Sequence, residues 1–313
     1  MSRFKVVVSD QVFPSVDLER RILAEIDADL VVASGTRDEV LEIARDADAI
    51  LNTYLPFDAD AIERLERCKI IARYGIGVDN IDLDAARRKG IVVTNVPDYC
   101  VEEVATHTLA LILAVARKVV TADRLVRDGE WTIEPLRPLR RLSELTVGLL
   151  GYGKIARRVA AALETLGAEM VVYDPYVQPG PDTPRLVDLG ELLSSSDILS
   201  IHAPLTPETR GMIDREALAK MKPGSYLVNT SRGPLVVLED LLEALREGRL
   251  AGAALDVFEN EPVNPEAIAD VPNLIATPHM AYYSEEALEE SQRKATTQVV
   301  KVLTGQEPDY RVA

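Results

Sequence analysis

The chain has 313 residues, of which 47% are hydrophobic and only 5% aromatic, and its formal net charge is −16. This length predicts two domains, and the composition predicts cores of aliphatic side chains, as in parallel sheets covered by helices. The negative charge argues against nucleic acid and against an anionic membrane surface as partners, because both are bound through a basic face.

The two cysteines, Cys68 and Cys100, have no partner at the spacing of a CxxC motif or a metal site. We therefore expect reduced thiols, no metal and a cytoplasmic location. The chain begins MSRFKVVVSD, without the apolar stretch of a secretory leader, and it contains no apolar run of about 18 residues. We expect neither a signal peptide nor a membrane span.

Short β-branched runs alternate with amphipathic segments through the first hundred residues. The predicted strands are Lys5–Ser9, Val31–Ala33, Ala49–Asn52, Ile70–Arg73 and Ile91–Thr94. The predicted helices include Val16–Glu25, Arg37–Ala44 and Ala59–Arg67. This order predicts a parallel sheet with helices on both faces.

The segment Val101–Val120 is apolar almost all round and predicts one long buried helix. The Arg-rich stretch Thr121–Ser143, which contains Trp131, is predicted to be irregular and to form an arm or a dimer contact. A second β-α-β series follows, with predicted strands Thr146–Leu150, Glu169–Tyr173, Ile198–His202, Tyr226–Asn229, Gly252–Asp256 and Leu274–Ala276. A last helix is predicted over Glu285–Thr304.

The first chemical signal is a glycine-rich turn between a predicted strand and a predicted helix. Gly151 allows the tight turn and Gly153 allows the backbone to approach a pyrophosphate, while the third position of the motif holds Ala156. Asp174 ends the next strand, where a ribose-binding carboxylate is expected. An acid there favours NAD, because it repels the 2′-phosphate of NADP.

Three further polar segments each follow a strand of the second series. They are NTSRG, which contains Arg232, LDVFENEP, which contains Glu261, and TPHMAYYS, which contains His279. Loops beyond the carboxyl ends of parallel strands form the binding crevice, so these side chains can converge there. His279 suits acid–base exchange with an alcohol, Glu261 favours its charged form, and Arg232 can pair with a substrate carboxylate. Each also has a plain structural alternative: a surface arginine, a solvated glutamate and a packed histidine.

Over nearly its whole length the chain resembles the D-isomer-specific 2-hydroxyacid dehydrogenases. The matching segments are ARYGIGVDNID, VGLLGYGKIARRVA, SSSDILSIHAPLTPETRGMI, MKPGSYLVNTSRG, LDVFENEP and TPHMAYYSEEA. Within that family, VPDYCVEEVA and PHMAYYSE are most similar to the dehydrogenases related to the C-terminal-binding-protein corepressors.

The resemblance implies two Rossmann/flavodoxin-like α/β domains with parallel sheets. A substrate-binding domain of residues 1–98 and 287–313 would be split around an NAD-binding domain of residues 99–286. It also implies a homodimer built partly on the arm around Trp131.

The resemblance further implies Arg232, Glu261 and His279 as the catalytic residues, with His279 as acid and base. Arg73, Ile76 and Gly77 would hold the substrate carboxylate together with Arg232 and His279. Cofactor contacts would come from Gly151, Tyr152, Gly153, Lys154, Ile155, Asp174, Ala203, Thr209, Thr230, Arg232, Asp256, His279 and Tyr282. Of the remaining histidines, His107 is expected to be structural or near the cleft and not catalytic, and His202 to pack beside the cofactor.

The sequence departs from the family pattern at three positions. Ala156 replaces a third glycine, Tyr282 replaces a tryptophan of the corepressor proteins, and Val237 stands where the family has an aspartate. That aspartate would cap the following helix, so Val237 is expected to cost about 1 kcal/mol of local stability.

The leading hypothesis is therefore an NAD-dependent enzyme that moves a hydride to or from C2 of a small 2-oxo or D-2-hydroxy acid. One alternative is a corepressor-like binding protein that responds to NADH and keeps only vestigial activity. Another keeps the fold and changes the substrate, to phosphoglycerate, formate or phosphite. Because no regulatory domain follows residue 313, an effector-regulated phosphoglycerate enzyme is not expected.

Overall fold

A computed structural model describes residues 3–181 and 183–313. The residues outside this description are Met1, Ser2 and Asp182. The first two belong to the predicted substrate-binding domain. The chain divides into two compact units. The first unit is Met1–Cys100 with Ser284–Ala313, and the second unit is Val101–Tyr283.

The first unit is a parallel sheet of five short strands with helices between them. In chain order its elements are β1 (Phe4–Val8), α1 (Asp17–Leu23), β2 (Ala28–Val32), α2 (Arg37–Ala44), β3 (Ala49–Asn52), α3 (Ala59–Glu63), β4 (Ile70–Arg73), α4 (Leu83–Lys89) and β5 (Val92–Thr94). The strand order is β2-β1-β3-β4-β5, which is the flavodoxin-like order. Since β3 is buried along its whole length, its residues pack on both faces, as expected of the middle strand of a parallel sheet covered by helices.

The second unit is a parallel sheet of seven strands. Its elements are α5 (Val101–Arg117), α6 (Val119–Arg127), β6 (Thr146–Leu150), α7 (Lys154–Thr165), β7 (Glu169–Tyr173), β8 (Arg185–Leu186), α8 (Leu189–Ser195), β9 (Ile198–Ile201), α9 (Arg215–Lys220), β10 (Tyr226–Asn229), α10 (Leu238–Arg246), β11 (Gly252–Leu255), α11 (Pro265–Ile268) and β12 (Leu274–Ala276). The chain then enters α12 (Glu285–Leu303), which belongs to the first unit.

The strand order of the second unit is β12-β11-β10-β9-β6-β7-β8. The chain starts in the middle of the sheet at β6, runs outward to β8, and returns to the other side of β6 as β9. This is the doubly wound Rossmann order, in which the direction of winding changes between β6 and β9. The two parallel α/β sheets confirm the predicted fold class.

Both faces of this sheet are covered by apolar side chains. On one face α5 and α7 pack against β6 and its neighbours, with Ile112, Leu149 and Val159 fully buried among them. On the other face α8, α9 and α10 pack through residues such as Leu192 and Leu241. Helix α5 is thereby anchored to the sheet over much of its length.

Two predictions about the elements were wrong. The predicted helix Val101–Val120 ends at Arg117, because Lys118 adopts a left-handed backbone with φ of 51°. A separate helix, α6, then covers Val119–Arg127, so the first part of the stretch predicted to be irregular is helical. The strand β8 was not predicted, because a run of two residues shows no periodicity.

None of the helices in residues 3–181 and 183–313 combines the length and the hydropathy needed to cross a membrane.

Helix α10 begins without a side-chain cap. Its N-cap residue is Val237, in an extended conformation, and no side-chain hydrogen bond reaches the first turn from it. By contrast, Asp82, Asp188 and Asp214 cap α4, α8 and α9 by accepting a backbone N–H. The expectation that Val237 leaves this helix end uncapped is confirmed.

We therefore expect Val237→Thr to raise the free energy of unfolding by about 1 kcal/mol, because the hydroxyl can accept a first-turn N–H while the side chain keeps its shape. Calorimetric unfolding of the two proteins measures the difference. Val237→Ala, which offers no acceptor, is the control and should give no gain; equal stabilisation by both substitutions would contradict the capping argument.

His202 follows β9 and contacts Ser200, with 2.9 Å between Nε2 and Oγ. Burial lowers the pKa of His202 from 6.5 to about 4. The unfolded chain therefore binds this proton at a higher pH than the folded chain does, so stability is lost as the pH falls from 6.5 towards 4.

We expect the melting temperature of the wild type to fall more steeply across this pH window than that of His202→Gln, which has no group that titrates there. Thermal scans at a series of pH values measure both slopes. Parallel curves would show that His202 does not contribute to the acid sensitivity.

Candidate active site

The turn between β6 and α7 is built for close approach by a ligand. Gly151 has φ of +94°, and a Cβ there would lie 2.8 Å from the carbonyl carbon of His202, so the position requires glycine. A Cβ on Gly153 would meet no heavy atom of the described residues within 4 Å. The described part of the chain therefore leaves open space over Gly153, where the backbone can receive a phosphate.

Helix α7 supplies the charge that a phosphate needs. Gly153 is its N-cap residue and contributes no side-chain hydrogen bond to the first turn, which begins with Lys154 and Ile155. The N–H groups of that turn carry the partial positive charge of the helix end. Ala156 is fully buried, which explains why a small residue suffices in the third position of the motif.

Asp174 follows β7 and is joined to the glycine turn. One carboxylate oxygen accepts the backbone N–H of Tyr152 at 2.8 Å, and the other accepts the N–H of Tyr176 at 2.9 Å. The side chain is partly exposed, so its oxygens can also accept ribose hydroxyls. The open space over Gly153, the helix end and this carboxylate together fit a dinucleotide.

Three more predicted cofactor residues follow the carboxyl ends of strands. Ala203 lies just after β9, and Thr209 is tied into the next turn by donating to the carbonyl of Pro204 at 2.7 Å. Thr230 follows β10, and its hydroxyl is 2.7 Å from that of Thr108 on α5. Their contact with a cofactor stays a prediction.

His279 and Glu261 form a hydrogen-bonded pair in the second unit, with 2.6 Å between Nδ1 and Oε2. The other carboxylate oxygen accepts the backbone N–H of Phe258 at 2.9 Å. The two side chains are 31% and 36% exposed, so a substrate can reach them. Because Nδ1 faces the carboxylate, Nε2 is the ring atom directed to exchange a proton with a substrate.

The environment of Glu261 keeps its carboxylate ionised. Burial alone would raise the pKa of Glu261, but the hydrogen bonds from His279 and from the Phe258 N–H, with the nearby charge of Arg232, lower it overall. The carboxylate is thus available to stabilise a positive charge on the imidazole.

Arg232 lies on the loop after β10. The buried side chain of Asn229 shapes this loop by donating to the Arg232 carbonyl at 2.9 Å and accepting the Ser231 N–H at 3.0 Å. A Cβ on Gly233 would lie 1.9 Å from the carbonyl of Phe258, so the two loops pack backbone against backbone. The structure thereby brings Arg232, Glu261 and His279 together in the second unit.

Asp256, which follows β11, is 1% exposed and holds the loop that contains His279. Its carboxylate accepts the Thr277 hydroxyl at 2.5 Å and the N–H groups of Met280 and Ala281 at 3.0 and 2.9 Å. Burial opposes the charge, but hydrogen bonds from His107, Thr277 and the two N–H groups outweigh it and lower the pKa of Asp256 to about 2. Asp256 is therefore an anion at neutral pH.

The backbone of His279 is in the left-handed region, with φ of 52°, which a non-glycine residue adopts only when its surroundings enforce it. Its N–H donates to the carbonyls of Asp256 and Thr277 at 2.8 and 3.0 Å. Tyr282 lies edge-on to the imidazole, with 6.2 Å between the ring centroids.

The predicted carboxylate-binding residues lie in the first unit, where Arg73 is the last residue of β4 and Ile76 and Gly77 follow in the next turn. A Cβ on Gly75 would be 2.0 Å from Nη1 of Arg73, so the guanidinium lies directly over that glycine. The carbonyl of Ile76 accepts the side-chain N–H of Asn95 at 2.7 Å, which holds the turn before Gly77. The role of Arg73, Ile76 and Gly77 towards a substrate stays a prediction.

Sequence reasoning missed three contributors to this site: the Phe258 N–H that orients Glu261, the Thr277 hydroxyl on Asp256, and His107. No local pattern marks them, because each acts on a residue distant in the sequence or through its backbone. The described residues also contain no group of three His, Cys, Asp or Glu side chains suited to a metal ion.

Comparison with known proteins agrees with this geometry. Residues 109–281 match the model of the D-isomer specific 2-hydroxyacid dehydrogenase NAD-binding domain. The chain is 37% identical to D-3-phosphoglycerate dehydrogenase of Methanocaldococcus jannaschii over 96% of its own length and 58% of that protein. It is 39% identical to glyoxylate reductase of Thermofilum pendens, over 87% of this chain and 83% of that one.

Among solved structures, D-lactate dehydrogenase from Aquifex aeolicus in complex with NAD and lactic acid superposes with a TM-score of 0.88 at 29% identity, covering 98% of each chain. The chain spans 58% of the length of the archaeal phosphoglycerate dehydrogenase that it matches. The match to the family's NAD-binding domain extends over more than half of the chain, and the identity to glyoxylate reductase covers most of both proteins. The chain belongs to the D-isomer specific 2-hydroxyacid dehydrogenase family.

Proposed function

We propose that this protein is an NAD-dependent oxidoreductase that transfers a hydride between nicotinamide and C2 of a small D-2-hydroxy or 2-oxo acid. The observation that carries the proposal is the His279–Glu261 pair, 2.6 Å apart and close to Arg232. This acid–base pair lies in the same unit as the glycine turn that fits a dinucleotide.

In the reducing direction, NADH held at the turn between β6 and α7 would supply the hydride to C2. Protonated His279 gives the proton on Nε2 to the carbonyl oxygen of the 2-oxo acid, so one hydride and one proton convert the ketone to an alcohol. Glu261 holds the ring through Nδ1 and stabilises its charged form before the transfer. Oxidation of the hydroxy acid uses the same groups in reverse, with neutral His279 as the base.

Arg232 is proposed to pair with the substrate carboxylate and to polarise the adjacent carbonyl. Arg73 and the backbone N–H groups of Ile76 and Gly77 are proposed to bind the same carboxylate. These residues recognise the carboxylate that all 2-oxo acids share, so the substrate side chain must be selected by the shape of the site. One methylene group changes the binding free energy by about 1–3 kcal/mol.

The activity is tested by following NADH absorbance with a panel of 2-oxo acids: glyoxylate, pyruvate, hydroxypyruvate, phosphohydroxypyruvate and phenylpyruvate. We expect turnover with at least one of them, and a loss of kcat of about 10²–10⁴-fold in His279→Ala, with NADH binding largely retained. NADH binding by a protein that is inactive on every acid would sink the proposal and favour an NADH-responsive binding protein.

The panel contains phosphohydroxypyruvate because of the similarity to phosphoglycerate dehydrogenases, which makes a phosphorylated three-carbon acid the second candidate substrate. The similarity to glyoxylate reductase supports the smaller, uncharged side chains. The ratio of kcat/KM between phosphohydroxypyruvate and glyoxylate decides between them.

Asp174 is proposed to set the preference for NAD over NADP. Charged hydrogen bonds of this type contribute about 1.5–3 kcal/mol, so Asp174→Ser should weaken NADH binding by about 10- to 100-fold and weaken NADPH binding far less. Asp174→Glu keeps the charge and should keep the preference for NADH. Fluorescence titration of both cofactors measures this; equal losses for both would contradict the assignment.

We further propose a cytoplasmic homodimer. The segment after α5 carries exposed apolar side chains, including Trp131 at 90%, Ile133 and Val126, and such a patch supports a contact with a second copy. Cys68 and Cys100 are both buried, and burial raises the pKa of the Cys68 thiol to about 12. Inert, reduced thiols of this kind are typical of a reducing compartment.

A further inference from the structure

His107 contacts the loop that carries His279, although 170 residues separate it from its partner there. It is the only histidine of α5, and its Nε2 is 3.1 Å from the Thr277 hydroxyl and 3.5 Å from the nearer carboxylate oxygen of Asp256. The imidazole is largely buried. A histidine that only filled space on this helix would not need to direct a ring nitrogen at two polar groups.

The hydrogen bonds assign the proton on this ring. The Thr277 hydroxyl donates to the ionised carboxylate of Asp256 at 2.5 Å, so its oxygen is left to accept. Nε2 of His107 must then carry the hydrogen that it shares with Thr277, because a hydroxyl that already donates cannot donate again. The chain of donors runs from His107 through Thr277 to Asp256.

The groups that bind the Asp256 carboxylate lie on both sides of His279 in the sequence. Thr277 precedes His279 by two residues, and the Met280 N–H that binds the same carboxylate oxygen follows it. The His279 N–H itself donates to the Asp256 carbonyl at 2.8 Å. Because the left-handed backbone of His279 is unfavourable without outside support, these contacts define where its ring points.

Helix α5 is a rigid reference for this arrangement. Next to His107, the side chain of Thr108 is fully buried and its hydroxyl is 2.7 Å from that of Thr230 after β10. Ala105, Leu111 and Ile112 belong to the core between α5 and the sheet. A group fixed on α5 therefore has a constant position relative to the sheet that carries Asp256.

We propose that His107 is a positioning residue that sets the orientation of the His279 imidazole through Thr277 and Asp256. This inference rests on the proposed function, in which His279 exchanges a proton with the substrate. It refines the expectation that His107 is structural or near the cleft and not catalytic: the residue does not touch the reacting atoms but determines where the acid–base group stands.

The kinetic test compares His107→Leu, which removes the donor, with His107→Gln, whose amide N–H can reach the position of Nε2. We expect His107→Leu to lower kcat about 10- to 100-fold, since small misplacement of a catalytic group has effects of this size, with the KM for NADH nearly unchanged. His107→Gln should recover most of the activity. Thr106→Val, on the exposed face of the same helix, is the matched control and should behave as wild type.

A second pair of variants tests whether the effect passes through Thr277. Thr277→Val removes the hydroxyl and should resemble His107→Leu, whereas Thr277→Ser should remain active. In the double variant of His107→Leu and Thr277→Val, the loss should be no greater than in either single variant, because both break the same chain. Losses that multiply would show that the two residues act independently and would overturn the proposal.

A structural readout needs no turnover. The chain has three histidines, so the nitrogen NMR spectrum of protein labelled at the imidazole nitrogens contains signals from three rings. The variants His279→Ala and His202→Gln assign these signals to their residues. We expect the His279 signals to move or broaden in His107→Leu and to return to their wild-type position in His107→Gln. Unchanged His279 signals in His107→Leu would refute the positioning role, even if no substrate were found. Wild-type protein inactive on all acids would refute the proposed function while these spectra still decided the role of His107.

Discussion

The seven strands of the second unit all run in the same direction, and the candidate site depends on this constraint. Because parallel strands end at one edge of a sheet, the segments after β6, β10, β11 and β12 all leave it at the same edge. The glycine turn, Arg232, Asp256 and His279 lie in those four segments. An antiparallel arrangement of the same strands would divide these residues between opposite edges.

Two carboxylates then perform different tasks at this edge. Asp256 is almost fully buried, and its carboxylate accepts backbone N–H groups of the loop that contains His279. Its role is therefore to hold that loop in place. Glu261 is about one-third exposed and accepts one N–H from the backbone and one from the imidazole. The difference in burial and partners, not in chemical type, assigns one acid to the backbone and the other to the proposed chemistry.

Close backbone contacts are needed to keep these loops in place. At Gly233 a side chain would overlap the Phe258 carbonyl, and at Gly151 it would overlap the carbonyl of His202. These two glycines allow one strand–loop segment to lie directly on the next, which is how groups distant in the sequence come within hydrogen-bonding distance. Gly153 differs, since no atom of residues 3–181 and 183–313 would lie within 4 Å of a Cβ there.

The amino-acid sequence by itself determined the alternation of strands and helices and the parallel α/β class, because both follow from local periodicity. It also determined the glycine turn with its acid and the missing cap at Val237, because these depend on residue types at short spacing. It also marked Arg232, Glu261 and His279 as polar residues after strands, whose catalytic roles remain predictions. The tertiary structure decided the break of the helix at Lys118, since a left-handed lysine has no sequence signature. It also decided the contact of His107 with Thr277, because hydrogen bonds between residues far apart in the chain exist only once packing has fixed both partners.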